Sequence, residues 1–283
     1  MTEPDIALAR NPLFVPGDRP ERFSKALASG ADAVIMDLED AVAPEAKGAA
    51  RSAVLAHLSA PEAPPGVALG LRMNPLPSPE GIADLAALIG GARPDFLMLP
   101  KVEAAEELSI VRRALSRAGG VVPLVALIES AEGLARAAAI AREERCVALG
   151  FGGLDLAADL GCVASWEPLL AHRASLVVAA SRAGRALFDV PFADFGDTAG
   201  LEAEAQRAQA LGFTGKLAIH PRQVATIAQV FTPDPAEADR ARRIVAAFEA
   251  ASGGVCVVDG KMVDQPVHRT AVRVLARAGR RAG

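Results

Sequence analysis

Apolar and polar positions come in blocks along this chain. Short runs rich in Val, Leu, Ile and Ala, the pattern of strands buried on both faces, are each followed by an Ala-rich stretch with amphipathic, helical spacing. Strands are predicted at Leu13 to Val15, Ala33 to Leu38, Val67 to Met73 and Phe96 to Leu99, within VPLVALIES and CVALGFGG, and at Ala186 to Val190 and Lys216 to Ile219. The stretches between them predict helices through Arg22 to Leu27, Pro44 to His57, Ile82 to Ile89 and Ala104 to Arg117. Further helices are predicted over AEGLARAAAIARE, from Trp166 through Ala180, over Leu201 to Leu211 and after Pro221. Strict strand–helix alternation implies a parallel sheet, and eight units of this length fit a closed (β/α)8 TIM barrel over residues 1–231.

The pattern changes after Thr232. A charged helix through Phe248 and a break at Gly253-Gly254 lead into Val257-Val258-Asp259-Gly260-Lys261-Met262, which reads as a hairpin turning on Asp-Gly. A basic helix from Pro266 ends the chain. Residues 232–283 are therefore expected to form a helix-hairpin-helix lid, able to cover a site or to reach a neighbouring subunit.

Almost every predicted strand ends in a polar group: Pro16-Gly17-Asp18-Arg19, Glu39-Asp40, Arg72 with Asn74, Lys101, Glu129, Asp155, Asp189 with Asp194, and His220. Loops are polar in general, so this coincidence carries modest weight. The pair Glu129 and Asp155 carries more. If the runs before them are adjacent parallel strands, both acids lie at the carboxyl edge of the sheet, where such sheets hold their chemistry. Two oxygen ligands with no His or Cys beside them suit Mg²⁺ better than zinc. Each residue also has an ordinary reading. Asp155 suits the cap of a helix starting at Leu156, and Glu129 a first-turn acid favoured by the helix dipole.

Composition removes some alternatives. The 283 residues, 51% hydrophobic, can bury one large α/β core. A formal charge of -4, from 30 basic and 34 acidic residues, gives no reason to expect nucleic acid or an acidic membrane as partner. No signal peptide or bilayer-length apolar run is visible, and three cysteines without metal or redox spacing fit a reducing compartment, so the cytoplasm is expected.

Seven stretches, FVPGDRPERFSKAL, GADAVIMDLEDAV, LRMNP, LIESAEGLA, LGFGGLDLAADLG, GKLAIHPRQV and DGKMVDQP, resemble in order the citrate lyase beta-subunit-like (HpcH/HpaI) family, which includes malyl-CoA and citramalyl-CoA lyases. The resemblance spans Phe14 to Pro266. It implies a TIM barrel, a homo-oligomer (trimer or hexamer) that exchanges lids, and a Mg²⁺-dependent carbon–carbon lyase. The substrate would be an acyl-CoA thioester of a β-hydroxy acid, and one product a keto acid. On this resemblance Glu129 and Asp155 match the metal ligands, and Arg72 matches the arginine that holds the keto acid's oxygens. Asp264 matches a lid aspartate used as acid or base, supplied by the neighbouring subunit. Phe14, Arg19 and Lys25 match the region that meets coenzyme A. Glu39 and Asp40 match an acidic pair that holds metal-bound water or Arg72, Gly152 and Gly153 make the carboxylate-binding turn, and His220 shapes the coenzyme pocket or caps a helix.

The chain departs from the family pattern at Leu76-Pro77-Ser78-Pro79, where many members carry Gly-Thr and an aromatic residue, and at Leu154, where many have Glu. Both departures bear on the substrate end of the pocket. Within enzymes the alternative is a citrate lyase complex subunit acting on an acyl-carrier-protein thioester; outside them it is a non-catalytic scaffold that binds CoA esters.

Overall fold

The computed structural model describes residues 5–59, 63–91, 93–117 and 122–279. They divide into two compact units, Met1–Ala228 and Gln229–Gly283.

In the first unit, strands and helices alternate: β1 (Leu13–Pro16), α1 (Phe23–Leu27), β2 (Ala33–Asp37), α2 (Lys47–Ser59), β3 (Ala68–Arg72), α3 (Pro79–Ile89), β4 (Phe96–Leu99) and α4 (Ala105–Arg117). The series continues with β5 (Leu124–Ile128), α5 (Ala131–Ile140), β6 (Cys146–Phe151), the short α6 (Gly153–Leu160), α7 (Trp166–Ala183), β7 (Ala186–Asp189), α8 (Thr198–Leu211), β8 (Gly215–Lys216) and α9 (Pro221–Phe231), within whose last turn the unit ends. All eight strands are parallel and stand in sequence order. The sheet curls until its two ends meet, where the Phe14 N–H donates to Ala218 O at 2.8 Å and the Ala218 N–H to Pro12 O at 2.8 Å. This is a TIM-barrel-like α/β fold.

The strands are apolar throughout because both faces are covered, and every residue of β2 and β5 is buried. Inward residues from successive strands, among them Ile35, Phe96, Met98, Leu127 and Phe188, fill the interior together with Ile6 from a 3-10 turn ahead of β1. Gly70 leaves the space that the Phe96 ring takes, since a Cβ there would lie 2.1 Å from the ring. β8 is shorter than the sequence pattern predicts, two residues against four. Beyond Lys216 the chain meets β1 only through the Leu13–Ala218 bridge. The first helix is led by a 3-10 turn at Pro20–Arg22, with proline at its first position, where a missing N–H costs nothing.

The second unit contains α10 (Pro235–Ala250), β9 (Cys256–Val258), β10 (Lys261–Val263) and α11 (Gln265–Ala278). β9 and β10 form an antiparallel hairpin. Its turn residues Asp259 and Gly260 both have positive φ, 52° and 72°, the geometry of the primed turns that suit twisted hairpins. Ile244, Phe248, Val258, Val263, Ala271 and Val274 close a small core of their own. Among the described residues no helix is long and apolar enough to cross a membrane.

Candidate active site

Strand register brings the polar groups to one edge. Asp37 and Arg72 end β2 and β3 as direct partners in the ladder. The Arg72 guanidinium donates to both Asp37 oxygens, from Nε at 2.7 Å and Nη2 at 2.5 Å, and its Nη1 lies 2.9 Å from Glu39 Oε2. It also lies over the Phe14 ring, 4.7 Å from the centroid, which ties β1 to the cluster. Burial disfavours the charge of Arg72, but Asp37 and Glu39 more than offset it and raise its pKa. The loop after β2 is braced by Lys47, whose Nζ donates to Leu38 O at 2.9 Å, Glu39 O at 3.0 Å and Asn74 Oδ1 at 2.7 Å.

Lys101 closes the cluster from the far side. It follows Pro100 at the end of β4 in the left-handed region, φ 51°, which non-glycine residues rarely adopt. This conformation lets one residue face two ways. Its N–H donates to Glu129 Oε1 at 2.7 Å, while its Nζ donates to Glu39 Oε1 at 2.7 Å and lies 3.5 Å from Asp40 Oδ1. Burial pushes Glu39 up against the pull of Arg72 and Lys101, whereas Asp40, partly opposed by burial, is held low by Glu39 and Lys101.

Glu129 follows β5 and precedes Ser130, which caps α5 by accepting from the Gly133 N–H at 3.1 Å. Glu129 is therefore not the first-turn acid of the ordinary reading. It is 5% exposed. Burial, with the nearby negative charges of Glu39 and Asp155, pushes its carboxyl up to about 7, and the Lys101 N–H and Arg72 only partly oppose this. Gly152 continues the β5–β6 ladder by donating to Ile128 O at 3.0 Å. A Cβ at Gly152 would lie 2.5 Å from Glu129 Cβ and 2.6 Å from Oε2, so glycine is required to admit the carboxylate. Gly152 is also the N-cap of α6. Asp155 thus sits in the first turn, exposed, rather than at the cap position anticipated for it. Gly153 is buried against the Phe151 ring. Asp159 supports the neighbouring helix, accepting from the Ala131 N–H at 2.7 Å.

Arg72, Glu39, Asp40, Glu129, Asp155, Gly152 and Phe14 are thus gathered at one edge. His220 forms a second group: its Nδ1 accepts from the Arg222 N–H at 3.2 Å at the start of α9, and its ring stacks on Phe195 at 4.7 Å. Burial and the nearby charges of Arg222 and Lys25 lower its pKa. Lys25 on α1 therefore faces this group, while Arg19 is exposed and lies 3.8 Å from Asp18. Asp264 belongs to the second unit, where it caps α11 by accepting from the Val267 N–H at 3.1 Å. The divergent Ser78-Pro79 pair is the cap and first residue of α3. Two cluster members had no assigned role from sequence. Asp37 was hidden inside an apolar run, though an acid there implies a buried cation; Lys101 was one of several charges after strands.

Asp37, Glu39 and Asp40 lie within ion-pair distance of Arg72 or Lys101, and Lys47 braces the same loop through its carbonyls, whereas Glu129 and Asp155 meet these cations only at longer range. The deficit of positive charge is concentrated at Glu129 and Asp155, which have no basic side chain bonded to them in this set. By charge, a divalent ion would suit that position. Among the described residues no three His, Cys, Asp or Glu form a complete cage, so two carboxylates would be supplemented by water or substrate oxygens, as is usual for Mg²⁺.

A curled parallel sheet with its charged cluster at the carboxyl edge defines an enzyme of the TIM-barrel-like class. The chain belongs to the HpcH/HpaI aldolase/citrate lyase family, whose model matches residues 10–221, and a model for carbon–carbon bond lyases of the TIM-barrel fold matches residues 165–280. It is a carbon–carbon lyase by family. Citrate lyase subunit beta of Escherichia coli K12 is 38% identical over 282 residues, covering 95% of this chain and 93% of that protein. A (3S)-malyl-CoA thioesterase of Cereibacter sphaeroides is 37% identical over 276 residues, covering 95% and 94%. The crystal structure of protein CitE from Mycobacterium tuberculosis, in complex with magnesium, acetoacetate and coenzyme A, superposes with a TM-score of 0.79 at 35% identity, covering 97% of this chain and 100% of that one.

Proposed function

We propose that the chain is a Mg²⁺-dependent lyase, or a synthase in reverse, for a β-hydroxyacyl-CoA thioester such as malyl-, citramalyl- or citryl-CoA, built on a closed (β/α)8 barrel and working in the cytoplasm. What supports this reading is the pair Glu129 and Asp155, neither bonded to a basic side chain, beside Arg72. The bond between the α-carbon and the hydroxyl-bearing β-carbon breaks, the hydroxyl loses its proton and becomes the carbonyl of a keto or glyoxylate-type acid, and the electron pair leaves on the thioester enolate. A proton returned to the α-carbon gives the acyl-CoA product.

Glu129 and Asp155 would hold the ion, which when bound polarises the carbonyl and lowers the charge developing on its oxygen. Arg72, fixed by Asp37 and Glu39 and seated on Phe14, presents its remaining N–H groups to the acid's oxygens. Glu39 and Asp40 keep that guanidinium and Lys101 in place. Gly152 and Gly153 form the turn that receives the carboxylate. Phe14, Arg19, Lys25 and His220 line the approach of the coenzyme, whose phosphates the cations meet. Asp264, on a C-terminal lid from a neighbouring subunit of a trimer or hexamer, manages the proton at the α-carbon.

A second reading rests on the E. coli relative: a citrate lyase beta subunit acting on an acyl-carrier-protein thioester. Product analysis of the purified chain with malyl-, citramalyl- and citryl-CoA and with the matching acyl-carrier-protein thioesters separates the possibilities, and the thioesterase relative makes both products necessary readouts. The lyase reading expects keto acid and acyl-CoA in equal amounts. Free CoA with the intact hydroxy acid would instead mean thioester hydrolysis. Turnover only with carrier-protein thioesters would favour the complex subunit, and binding without turnover a scaffold.

A further inference from the structure

The edge of the sheet carries two acidic pairs, Glu39 with Asp40 and Glu129 with Asp155, and Lys101 touches both. Its ammonium spans Glu39 Oε1 and Asp40 Oδ1, at 2.7 Å and 3.5 Å, and its main-chain N–H fixes Glu129 Oε1 at 2.7 Å. The second oxygens of Glu39 and Asp40 face Arg72 at 2.9 Å and 3.9 Å, but Arg72 is already bonded through two nitrogens to Asp37. Without Lys101, Glu39 Oε1 and Asp40 Oδ1 would be two carboxylate oxygens converging on one point, sharing Arg72 with Asp37. That is the beginning of a divalent-cation site.

We propose that Lys101 is a positioning residue that serves as a tethered cation. Its ammonium fills the place between Glu39 and Asp40 that a second divalent ion would otherwise take, confining the metal to Glu129 and Asp155. The left-handed backbone is what this role requires. Strained conformations of a non-glycine residue persist where surrounding contacts over-determine them. Here the single φ of 51° aims the N–H at one acidic pair and the side chain at the other. A tethered monovalent charge has a further consequence. It holds Glu39 in its ionised form, paired with Arg72, without introducing a second Lewis acid, which would compete for the carboxylate end of an anionic substrate.

This inference rests on the Glu129–Asp155 metal position, and the test separates the two. Metal stoichiometry is measured at pH 8 by Mn²⁺ paramagnetic resonance and Mg²⁺ calorimetry on the full chain and on Lys101→Met, Lys101→Arg and Glu129→Gln. The native chain is expected to bind one ion, lost or weakened at least tenfold in Glu129→Gln. Lys101→Met is expected to take up a second, weaker ion and to be inhibited by Mg²⁺ at concentrations that saturate that second site. Lys101→Arg, which keeps the charge, is expected to return to one ion. If Lys101→Met, folded by circular dichroism, still binds one ion with unchanged affinity, the tethered-cation role is wrong and the metal position stands. If the native chain binds no ion, both fall together.

Discussion

A buried carboxylate with too little positive charge around it leaves a thermodynamic trace. Glu129 has its pKa displaced from 4.5 to about 7, chiefly by burial, then by Glu39 and Asp155. A raised acid pKa means the folded state holds the proton more tightly than the unfolded one. The metal-free protein therefore pays nothing for this below about pH 4.5, and loses stability progressively as pH rises through 7, by roughly 3 kcal/mol at the limit. Glu129→Gln keeps an oxygen for the Lys101 N–H and removes the charge. In EDTA at pH 8 it is expected to melt several degrees above the native chain, and at pH 5 the two should nearly coincide. Equal melting at both pH values would mean the carboxylate is not strained in this way. Glu129 and Asp155 stood out as a pair in the sequence because Glu129 closes one apolar run and Asp155 comes shortly after the next. Asp37 did not, because a single acid inside such a run does not disclose the Arg72 that compensates it from the next strand. The two-way role of Lys101 depends on a positive φ that sequence pattern does not express for lysine.

Between elements, the site depends on how closely β5 and β6 approach at their carboxyl ends. Gly152 is both the cap of α6 and the only side chain small enough to leave room for Glu129. In Gly152→Ala, the added methyl would press on Glu129 Cβ and Oε2, and the ladder bond to Ile128 holds the backbone against retreat. The carboxylate should shift, with Mg²⁺ affinity and turnover falling at least tenfold, in the range seen when ligand-supporting contacts are lost. Far-ultraviolet circular dichroism should be unchanged. Native Mg²⁺ affinity in this variant would show that Glu129 has more freedom than the packing allows. Strands and helices were readable from alternation, and the hairpin turn from Asp259-Gly260, because the local chemistry there specifies the backbone. Edges were less so. β8 ends early, and α6 begins at Gly153, ahead of the cap position that Asp155 would have given it, because tertiary contacts set these limits.

Across the whole molecule, eight parallel strands bring to one rim residues that lie far apart in sequence, from Phe14 to Asp155. The repeated strand–helix alternation made this architecture readable from the chain alone. Substrate identity was not readable in the same way. The positions that depart from the family pattern are a loop, Leu76 to Ser78, that leads into α3 at Pro79, and Leu154, whose side chain is exposed. In the proposed mechanism Glu129 and Asp155 together hold the divalent ion on which bond cleavage depends. This is tested most directly by assaying the native chain and the double variant Glu129→Ala/Asp155→Ala with malyl-, citramalyl- and citryl-CoA, in Mg²⁺ and in EDTA. The expected result is cleavage of at least one thioester by the native chain in Mg²⁺, abolished by EDTA and absent from a folded double variant under both conditions. Undiminished cleavage by the double variant would contradict the claim.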